Sequence, residues 1–554
     1  MFINLNVIVT CFCVVGNPGN AERVWWWWKP NIFWRPRLFA PRQQLSDDWG
    51  TAFRRVRLWD RFNLRSTSQS SAAYTLKVIL SRIWNLVQDC AHNISLVSPI
   101  PDALFARYPI PPMQISNLEQ IKVIYDISVL GQGHLHSRAR TGVFRVVENL
   151  AQGLAKSPEC DLSFCTTQYF QLVDAALDYL ETNPKLKDIP LLHSSATRII
   201  YRKLIEAYNL LEVQTQVNHN AIATEEKSYF PEVKSHLESA LVTLSNYWSS
   251  IDPNSLEEVD IFHSPYDEIP AAVKIANKPQ NFLTVYDLIP ILYPQFILDE
   301  RVAWMQKKNL ASIAQKDWVI CISQSTKNDL CNYIKIDESR VFVTHLAAEP
   351  TVFYPCRDAA KIASTRSKYG IPEGEYILSL STLEPRKNLD TAIRSFAKLI
   401  QEQKIRDLYL VLVGAPGWKY ENILAEVSQQ GVLKERIIFT GYVPEFDLAA
   451  LYSGALAFVY PSFYEGFGLP PLEAMQCGIP AITSNNSSLG EVVGEAGITI
   501  DPKDIDGICD SMLQIYNKPS LREAMSLKSL AQAKKFSWER CTQETLAAYR
   551  TALS

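Results

Sequence analysis

Short apolar runs that alternate with helical segments constrain the fold of this chain more than any other feature. Past Tyr354 the alternation is regular, and runs such as YILSLS, LYLVLVG and LAFVYPS are separated by segments of helical period. Similar runs follow Gln120, among them IKVIYDISVL, VDIFHSP, NFLTVYDLIP, DWVICIS and RVFVTHLA. A near-continuous apolar run is typical of a strand that is buried on both faces of a parallel sheet. The alternation therefore predicts two parallel α/β sheets, each covered by helices, with a cleft between them.

Length and composition set the limits of this prediction. A chain of 554 residues is too long for one ordinary core, so two or more domains are expected. The net charge of -3 argues against nucleic-acid binding. Cysteines scattered through apolar runs are expected to be reduced and buried. No stretch reaches the roughly 18 apolar residues of a membrane span, and no basic residue precedes the apolar start, so a cytoplasmic protein without a secretory signal is expected.

Residues 1–118 differ in composition and in apolar pattern from the rest of the chain. Segments such as VWWWWKPNIFWRPRLFAPR mix tryptophan with arginine and have no sustained period, whereas Ala72 to Ile94 has apolar residues at helical spacing and is predicted to form one amphipathic helix. One interpretation is an extension without a structural role. The other is a peripheral contact with the inner membrane face, because tryptophan rings and cations suit an anionic lipid surface.

Two carboxylates in the segment YEGFGLPPLEAMQCGIP are the first candidate site residues. Glu465 follows the strand LAFVYPS, so it is expected in a loop at the carboxyl end of that strand. Glu473 is expected in the first turn of the next helix, where backbone N–H groups attract anions. Gly466 and Gly468 are expected to let the backbone approach a ligand. Taken singly, however, a glutamate at a helix start is as often only a partner of the helix dipole.

Two adjacent cations give this pair more weight. Arg386 and Lys387 lie in STLEPRKN, between the first strand of the second sheet and a predicted helix with Asn388 as its N-cap. Arginine and lysine at such a place can neutralise a diphosphate. The alternative is a solvated basic turn. Two more strand ends follow, in LVGAPGW and FTGYVPEFDLAALY.

These segments, with YEGFGLPPLEAMQCGIPAITSNNSSLGEV, together resemble glycosyltransferase family 4, whose E-x7-E signature matches Glu465 and Glu473. The resemblance is strong over residues 376–517, weaker over 122–354, and absent over 1–118. It implies a GT-B fold of two doubly wound Rossmann-like domains that face each other across a cleft. The implied organisation is an N-terminal extension (1–118), an acceptor domain with a helical insertion (119–354), a donor domain (355–535) and a returning helix (536–554).

The resemblance also implies roles for single residues. Glu473 would bind the ribose of a sugar nucleotide, Glu465 the transferred hexose, and Arg386 with Lys387 the departing diphosphate. The remaining implied donor-binding residues are Gly414, Tyr442, Val443, Gly466, Phe467, Gly468 and Leu469. The family retains anomeric configuration and needs no metal, and no cofactor beyond the sugar nucleotide is implied. The one D-x-D in this half, Asp504 to Asp506, is better interpreted as a helix cap.

The chain departs from the family pattern at two places. Where many members have an arginine shortly before the lysine, this chain has Ser381 and Thr382, and Arg386 is expected to supply that charge. Where the family often has a histidine before an aspartate, this chain has Tyr286 before Asp287. Asp287 is therefore a candidate catalytic residue, and His263 is the nearest candidate for a cleft histidine, although a structural role is equally common.

The leading hypothesis is a retaining hexosyltransferase, with a weak preference for GDP-mannose because the TLEPRKNL branch resembles mannosyl- and rhamnosyltransferases. A saccharide or lipid-linked saccharide is the expected acceptor. The alternatives are a sugar-nucleotide epimerase of the same fold and a non-catalytic partner subunit. The first would lack the paired glutamates with the basic loop, and the second would have lost Glu465 or the two cations.

Overall fold

The computed structural model describes residues 120–136, 142–167, 171–192, 251, 253–276 and 278–554. The predictions for residues 1–118, and for most of the helical insertion, fall outside these ranges. Among the described helices, none combines the length and the apolar character needed to cross a bilayer. Both sheets lie in one compact unit, made of Ile115–Ser194 and Ser249–Ser554.

The first sheet has six parallel strands in the order β2-β1-β3-β4-β5-β6. Its strands are β1 (Ile121–Asp126), β2 (Cys160–Cys165), β3 (Ile261–Ser264), β4 (Gln280–Val285), β5 (Trp318–Cys321) and β6 (Val341–Val343). The second sheet also has six parallel strands, in the order β12-β11-β10-β7-β8-β9. Its strands are β7 (Glu375–Leu380), β8 (Leu408–Val413), β9 (Ile437–Gly441), β10 (Ala457–Tyr460), β11 (Ala481–Ser484) and β12 (Ile498–Ile500). The predicted two-sheet α/β architecture is confirmed.

Helices connect the strands. Those around the first sheet are α1 (Ser128–Leu135), α2 (Gly142–Lys156), α3 (Gln171–Thr182), α4 (Ala271–Ile275), α5 (Ile289–Leu292), α6 (Glu300–Ala311) and α7 (Gln324–Ile334). Those around the second sheet are α8 (Ala359–Lys368), α9 (Leu389–Gln403), α10 (Tyr420–Gln429), α11 (Glu445–Ser453), α12 (Leu469–Gln476), α13 (Leu489–Val493), α14 (Ile505–Asn517) and α15 (Pro519–Ala533). The chain continues into α16 (Trp538–Leu553).

The run IKVIYDISVL is shorter as a strand than predicted. The strand stops at Asp126, whose carboxylate accepts hydrogen bonds from the backbone N–H and the hydroxyl of Ser128, at 2.8 and 2.6 Å. These bonds turn the chain into α1, so part of the segment interpreted as a loop is helical. The strand β2 was not predicted, because CDLSFC alternates apolar and polar residues at the sheet edge.

The helix α16 completes the core of the first sheet. Cys541, Leu546 and Tyr549 of this helix are buried in the same apolar cluster as β1 and α2. The Tyr549 hydroxyl lies 2.6 Å from Nδ1 of His263, which is on β3. The last helix described therefore packs against the sheet that is built from the earliest described strands.

The order of the second sheet places a crevice between β7 and β10. Successive strands are added outward from β7 on one side, through β8 and β9, and outward from β10 on the other. The connections that follow β7 and β10 therefore turn to opposite faces and leave a gap at the carboxyl ends of these two strands. Ligands of open parallel sheets bind at such a point. The loops there carry Arg386, Lys387 and Glu465.

Candidate functional site

Glu465 lies in the loop that follows β10, against the loop that follows β7. The two loops are joined by backbone contacts, since the Phe463 N–H donates to the Arg386 carbonyl at 2.9 Å. The Ser462 hydroxyl oxygen lies 3.1 Å from the same carbonyl oxygen. The adjacency of two strands that are far apart in sequence thus brings the predicted carboxylate and the predicted cations together.

The Glu465 carboxylate accepts four hydrogen bonds or ion pairs. Its Oε1 lies 2.7 Å from Nζ of Lys387, 2.9 Å from the Tyr460 hydroxyl and 2.6 Å from the Ser462 hydroxyl. Its Oε2 lies 2.8 Å from a terminal nitrogen of Arg386. Glu465 is only 9% exposed. Burial alone raises the pKa of this carboxyl, but Arg386 and then Lys387 outweigh it, and the pKa is lowered to about 2.

The two cations keep donors to spare. Arg386 also donates to the Tyr464 carbonyl at 2.7 Å and to Glu384 at 2.9 Å. A guanidinium has five N–H groups, so about two remain after these contacts and the Glu465 pair. Lys387 donates to Tyr460 and Glu465, which leaves one of its three N–H groups. Burial and the neighbouring Arg386 lower the pKa of Lys387, whereas Glu465 opposes them.

The sequence predicted that Glu473 lies in the first turn of α12, and this prediction is wrong. The helix begins at Leu469, with Pro470 and Pro471 in its first turn, so Glu473 is the fifth residue and is not beside the free N–H groups. Its carboxylate accepts one hydrogen bond, from the Tyr452 hydroxyl to Oε2 at 3.1 Å. The other oxygen, Oε1, lies 3.9 Å from a terminal nitrogen of Arg145. The anion-binding N–H groups and this carboxylate are therefore separate parts of the site.

The environment of Glu473 disfavours its charge. The residue is 6% exposed. Burial raises its pKa to about 7, although Arg145 and the Tyr452 hydrogen bond act in the opposite direction. Among the described residues, this carboxylate contacts one hydroxyl and one guanidinium 3.9 Å away. Much of its acceptor capacity is therefore unused. Such a group is suited to hydroxyl donors of a ligand.

Close approaches at two predicted glycines are made to the protein itself. A Cβ on Gly466 would lie 2.3 Å from the Tyr286 carbonyl, where the loop after β10 meets the first sheet. A Cβ on Gly414 would lie 1.8 Å from the Ser381 carbonyl, and Gly414 has a φ of 141°. A side chain at either position would therefore clash with protein backbone, which accounts for the glycines, and the expected approach of a ligand to them stays a prediction.

The first sheet contributes Asp287 to the same region. Asp287 follows β4, and its Cβ would be 2.9 Å from a Cβ on Gly466. Its carboxylate accepts from the Ile289 N–H at 2.8 Å. Burial raises the pKa of Asp287, while that hydrogen bond and Arg386 lower it. Gly466 directly follows Glu465, so its close approach to Asp287 places this carboxyl near the cluster after β7 and β10.

His263 is a core residue and not a cleft residue. It is fully buried, and its ring nitrogens lie 2.6 Å from the Tyr549 hydroxyl and 2.8 Å from the Thr284 hydroxyl. Burial lowers the pKa of His263 to about 3, so the ring stays neutral. With both nitrogens occupied between β3, β4 and α16, this histidine is not available to a substrate. The sequence could not separate the two roles because both place a histidine at a strand end.

The remaining predicted donor residues differ in exposure. Tyr442 is 73% exposed, whereas Val443 and Phe467 are buried in the apolar cluster of the second sheet. Gly468 is the residue before α12, and Leu469 is its first residue. Val443 and Phe467 therefore contribute packing with their side chains. Asp504 is the N-cap of α14 and accepts from the Gly507 N–H at 2.8 Å, as predicted.

Three contributors to the site were missed from the sequence. Tyr460 and Ser462 donate hydrogen bonds to Glu465, whereas the sequence pattern indicates only that they belong to the strand segment LAFVYPS. The signal was present, because polar groups at the end of a central strand lie where ligands bind. Arg145 reaches Glu473 from α2, more than 300 positions away, and no local pattern pairs the two.

Comparisons with known proteins identify the family. Residues 361–530 match the family described as Glycosyl transferases group 1. Over 290 residues the chain is 36% identical to the O-antigen chain mannosyltransferase B of Escherichia coli, a match that covers 52% of this chain and 74% of that protein. The chain belongs to the group 1 glycosyl transferases. The predicted family is thereby confirmed at this level.

Two further relatives extend the comparison. This glycosyl transferase is 33% identical over 294 residues to the serotype-specific mannosyltransferase WbdA of Escherichia coli; the match covers 52% of the chain but only 36% of that longer protein. A glycosyltransferase structure from Rickettsia africae superposes with a TM-score of 0.51 at 17% identity, covering 79% of this chain and 100% of that one. At that identity the likeness concerns the fold alone. It confirms the predicted GT-B architecture.

Proposed function

We propose that this group 1 glycosyl transferase is a retaining, metal-independent hexosyltransferase of family 4. It takes a hexose from a sugar nucleotide, with GDP-mannose as the favoured donor. It passes the hexose to a saccharide or a lipid-linked saccharide. The observation that carries the proposal is the group of Glu465, Arg386 and Lys387 in the crevice between β7 and β10, in which Glu465 and Lys387 are buried and Arg386 is partly buried.

The spare donors of Arg386 and Lys387 support a role in binding the diphosphate. About two N–H groups of the arginine and one of the lysine are free of the contacts with Glu465, Glu384, Tyr460 and Tyr464. These can bind phosphate oxygens without breaking the cluster. As the bond between sugar and phosphate breaks, negative charge grows on the diphosphate, and fixed cations stabilise that state more than the ground state.

The two glutamates are assigned to different parts of the donor. Oε2 of Glu465 accepts from Arg386 alone and has room for one hexose hydroxyl. Glu473 has an almost unused Oε1, which suits the hydroxyls of a ribose. Glu465 stays ionised at neutral pH and offers negative charge where the sugar becomes cationic.

Asp287 is assigned to the acceptor side. It stands on the first sheet, close to Gly466 of the donor loop. Burial raises its pKa, which makes the carboxylate a better proton acceptor than an exposed aspartate. In this proposal Asp287 takes the proton of the attacking acceptor hydroxyl.

The sugar and the acceptor are proposed by analogy. Two relatives at 33% and 36% identity are named as mannosyltransferases, one of them for the O-antigen chain. These names support a mannose donor and a saccharide acceptor. A lipid-linked form of the acceptor, at the inner membrane face, is part of the proposal. The membrane contact is assigned to the tryptophan- and arginine-rich residues before 119, which lie outside the described part of the chain.

A donor panel tests this function. Purified protein is mixed with GDP-mannose, other GDP-sugars and UDP-sugars, with a mannose-containing oligosaccharide as acceptor. Transfer from GDP-mannose with an α-linked product, determined by NMR, is expected. A β-linked product would contradict retention, and transfer from UDP-sugars alone would contradict the assigned donor. Release of neither GDP nor UDP would favour the non-catalytic alternative.

A further inference from the structure

Arg145 links the two sheets at the ribose-binding end of the site. It lies on α2, whose Phe144 and Val147 are buried in the core of the first sheet. Its neighbour Val146 packs instead into the apolar cluster that covers the second sheet. The helix α2 therefore packs against the cores of both sheets, which fixes the position of the Arg145 backbone.

From that point the guanidinium reaches two glutamates of the second sheet. One of its terminal nitrogens forms an ion pair with Glu445, the first residue of α11. The other lies 3.9 Å from Oε1 of Glu473. The start of α2 also approaches α12, because a Cβ on Gly142 would lie 3.7 Å from Cδ1 of Leu469. Arg145 therefore spans the junction where α2, α11 and α12 meet.

We propose that Arg145 is a positioning residue for the sugar nucleotide, which orients the Glu473 carboxylate from the opposite sheet and makes donor recognition depend on contact between the two sheets. The inference rests on the proposed binding of ribose by Glu473. It assigns to the acceptor half of the molecule a part in binding the donor. Glu445 acts against this role, since it competes for Arg145 and places a second negative charge near Glu473.

The groups that face Glu473 make the proposal specific. Burial raises the pKa of Glu473 to about 7, Arg145 and Tyr452 lower it, and Glu445 raises it. The other titratable neighbours, Tyr452 and Cys477, have pKa values raised by burial and remain neutral near pH 7. The charge of Glu473 is thus set by one cation and one anion, both from outside its own helix.

These signs give a test with opposite outcomes. If Glu473 must be ionised to accept from ribose, nucleotide affinity falls as the pH drops through its pKa. Arg145→Gln removes a cation, so the midpoint of this loss moves to higher pH, by on the order of one unit. Glu445→Gln removes an anion and releases Arg145, so the midpoint moves to lower pH. Arg145→Lys restores most of the wild-type midpoint.

The experiment is calorimetric titration with GDP, and with UDP and ADP in turn, between pH 5.5 and 8.5. Ionisation of the nucleotide phosphate affects all variants equally and cancels in their differences. In a Glu473→Gln background, Arg145→Gln is expected to have no further effect on affinity, whereas independent structural roles would give additive losses. A midpoint raised by one unit corresponds to an affinity loss of about fivefold at pH 7, where wild-type Glu473 is half ionised, and of about tenfold well below its pKa.

The inference is overturned if both substitutions move the midpoint in the same direction or leave it unchanged. It is also overturned if the two losses add in the double variant, or if none of the nucleotides binds the wild type. The proposed function fails separately: a wild type that binds GDP with the expected pH dependence but transfers no mannose would contradict the transferase and leave the role of Arg145 supported.

Discussion

The loop that holds Glu465 and the helix turn that holds Glu473 form two contrasting surroundings for one residue type. The two residues are 9% and 6% exposed. Glu465 is surrounded by donors from β10 and from the loop after β7, and its pKa is lowered to about 2. Glu473 has one hydroxyl and one distant guanidinium, and burial raises its pKa to about 7. Burial alone therefore does not decide the charge of a carboxyl group; the number of donors that the fold supplies does.

Glu465 and Glu473 also differ in how far their hydrogen bonds are formed before a ligand binds. The four contacts of Glu465 exist without a substrate, so little reorganisation is needed when charge develops. Glu473 has one such hydrogen bond, from Tyr452, and in the proposed function it gains the others from the donor. Four measurements test this difference.

The largest effect is expected for Glu465→Gln. The substitution keeps the shape but removes the charge beside Arg386 and Lys387, and turnover at saturating donor should fall by about a hundredfold. The matched control is Glu384→Gln, which removes the other carboxylate 2.9 Å from Arg386. Steady-state rates at saturating donor decide the outcome. Equal losses in both variants would show that pairing with Arg386, and not the position of Glu465, controls turnover.

A second effect is expected on stability. The folded-state pKa of Glu473, about 7, is above its ordinary value of 4.5, so ionisation of this group opposes folding. Its contribution to the free energy of unfolding is least favourable above pH 7 and improves as the pH falls toward 4.5. Glu473→Gln should therefore stabilise the protein at pH 8 by on the order of 3 kcal/mol, and by little at pH 5.

Urea unfolding at both pH values measures this difference between wild type and variant. Glu445→Gln at α11 retains Glu473 but removes an anion that raises its pKa, so the unfavourable contribution of Glu473 should be smaller in this variant. A stability difference that stays constant from pH 5 to pH 8 would contradict a raised pKa at Glu473.

A third effect concerns the use of the donor. Glu473→Gln should raise the Michaelis constant for the sugar nucleotide by about tenfold, because ribose binding does not change during the reaction. Turnover at saturation should change little, unlike in Glu465→Gln. Initial rates with varied donor separate the two constants. A fall in turnover as large as that of Glu465→Gln would assign both glutamates to the transition state.

The smallest effect is expected on removal of metal ions. In the proposed chemistry Arg386 and Lys387 balance the charge of the leaving diphosphate, so treatment with EDTA should leave the rate of transfer unchanged. The same assay after Arg386→Lys is the companion measurement, since lysine keeps the charge but loses the bidentate fork. Loss of transfer after EDTA that Mn²⁺ restores would assign the leaving-group charge to a metal instead.

Much of the fold could be predicted because its signals are local. Buried parallel strands such as β8 and β10 are continuous apolar runs, and the helices between the strands repeat with a regular period. The edge strand β2 was missed because Asp161 and Ser163 alternate with apolar residues, so CDLSFC forms no continuous apolar run. The early end of β1 depended on one hydrogen-bonded turn at Asp126.

The site was predictable only as far as local sequence reaches. The order of Arg386 and Lys387 after one strand and Glu465 after another placed them at strand ends. The prediction that Glu473 lies in the first helical turn was wrong because the helix begins at Leu469, so Glu473 is its fifth residue, just beyond that turn. The core position of His263 depends on Tyr549, 286 residues later, and the environment of Glu473 depends on Arg145. Such contacts are fixed by tertiary packing, which no short segment encodes.

The return of α16 to the first sheet has a consequence for synthesis. Tyr549 completes the hydrogen bonds of His263, 286 residues earlier in the chain. A ribosome adds on the order of 5–20 residues per second, so β3 emerges tens of seconds before its partner helix. During that interval the apolar face that α16 later covers is open to chaperones and to other nascent chains. A translational pause after the second sheet would lengthen this exposure, and the yield of folded protein should be sensitive to codon choice there.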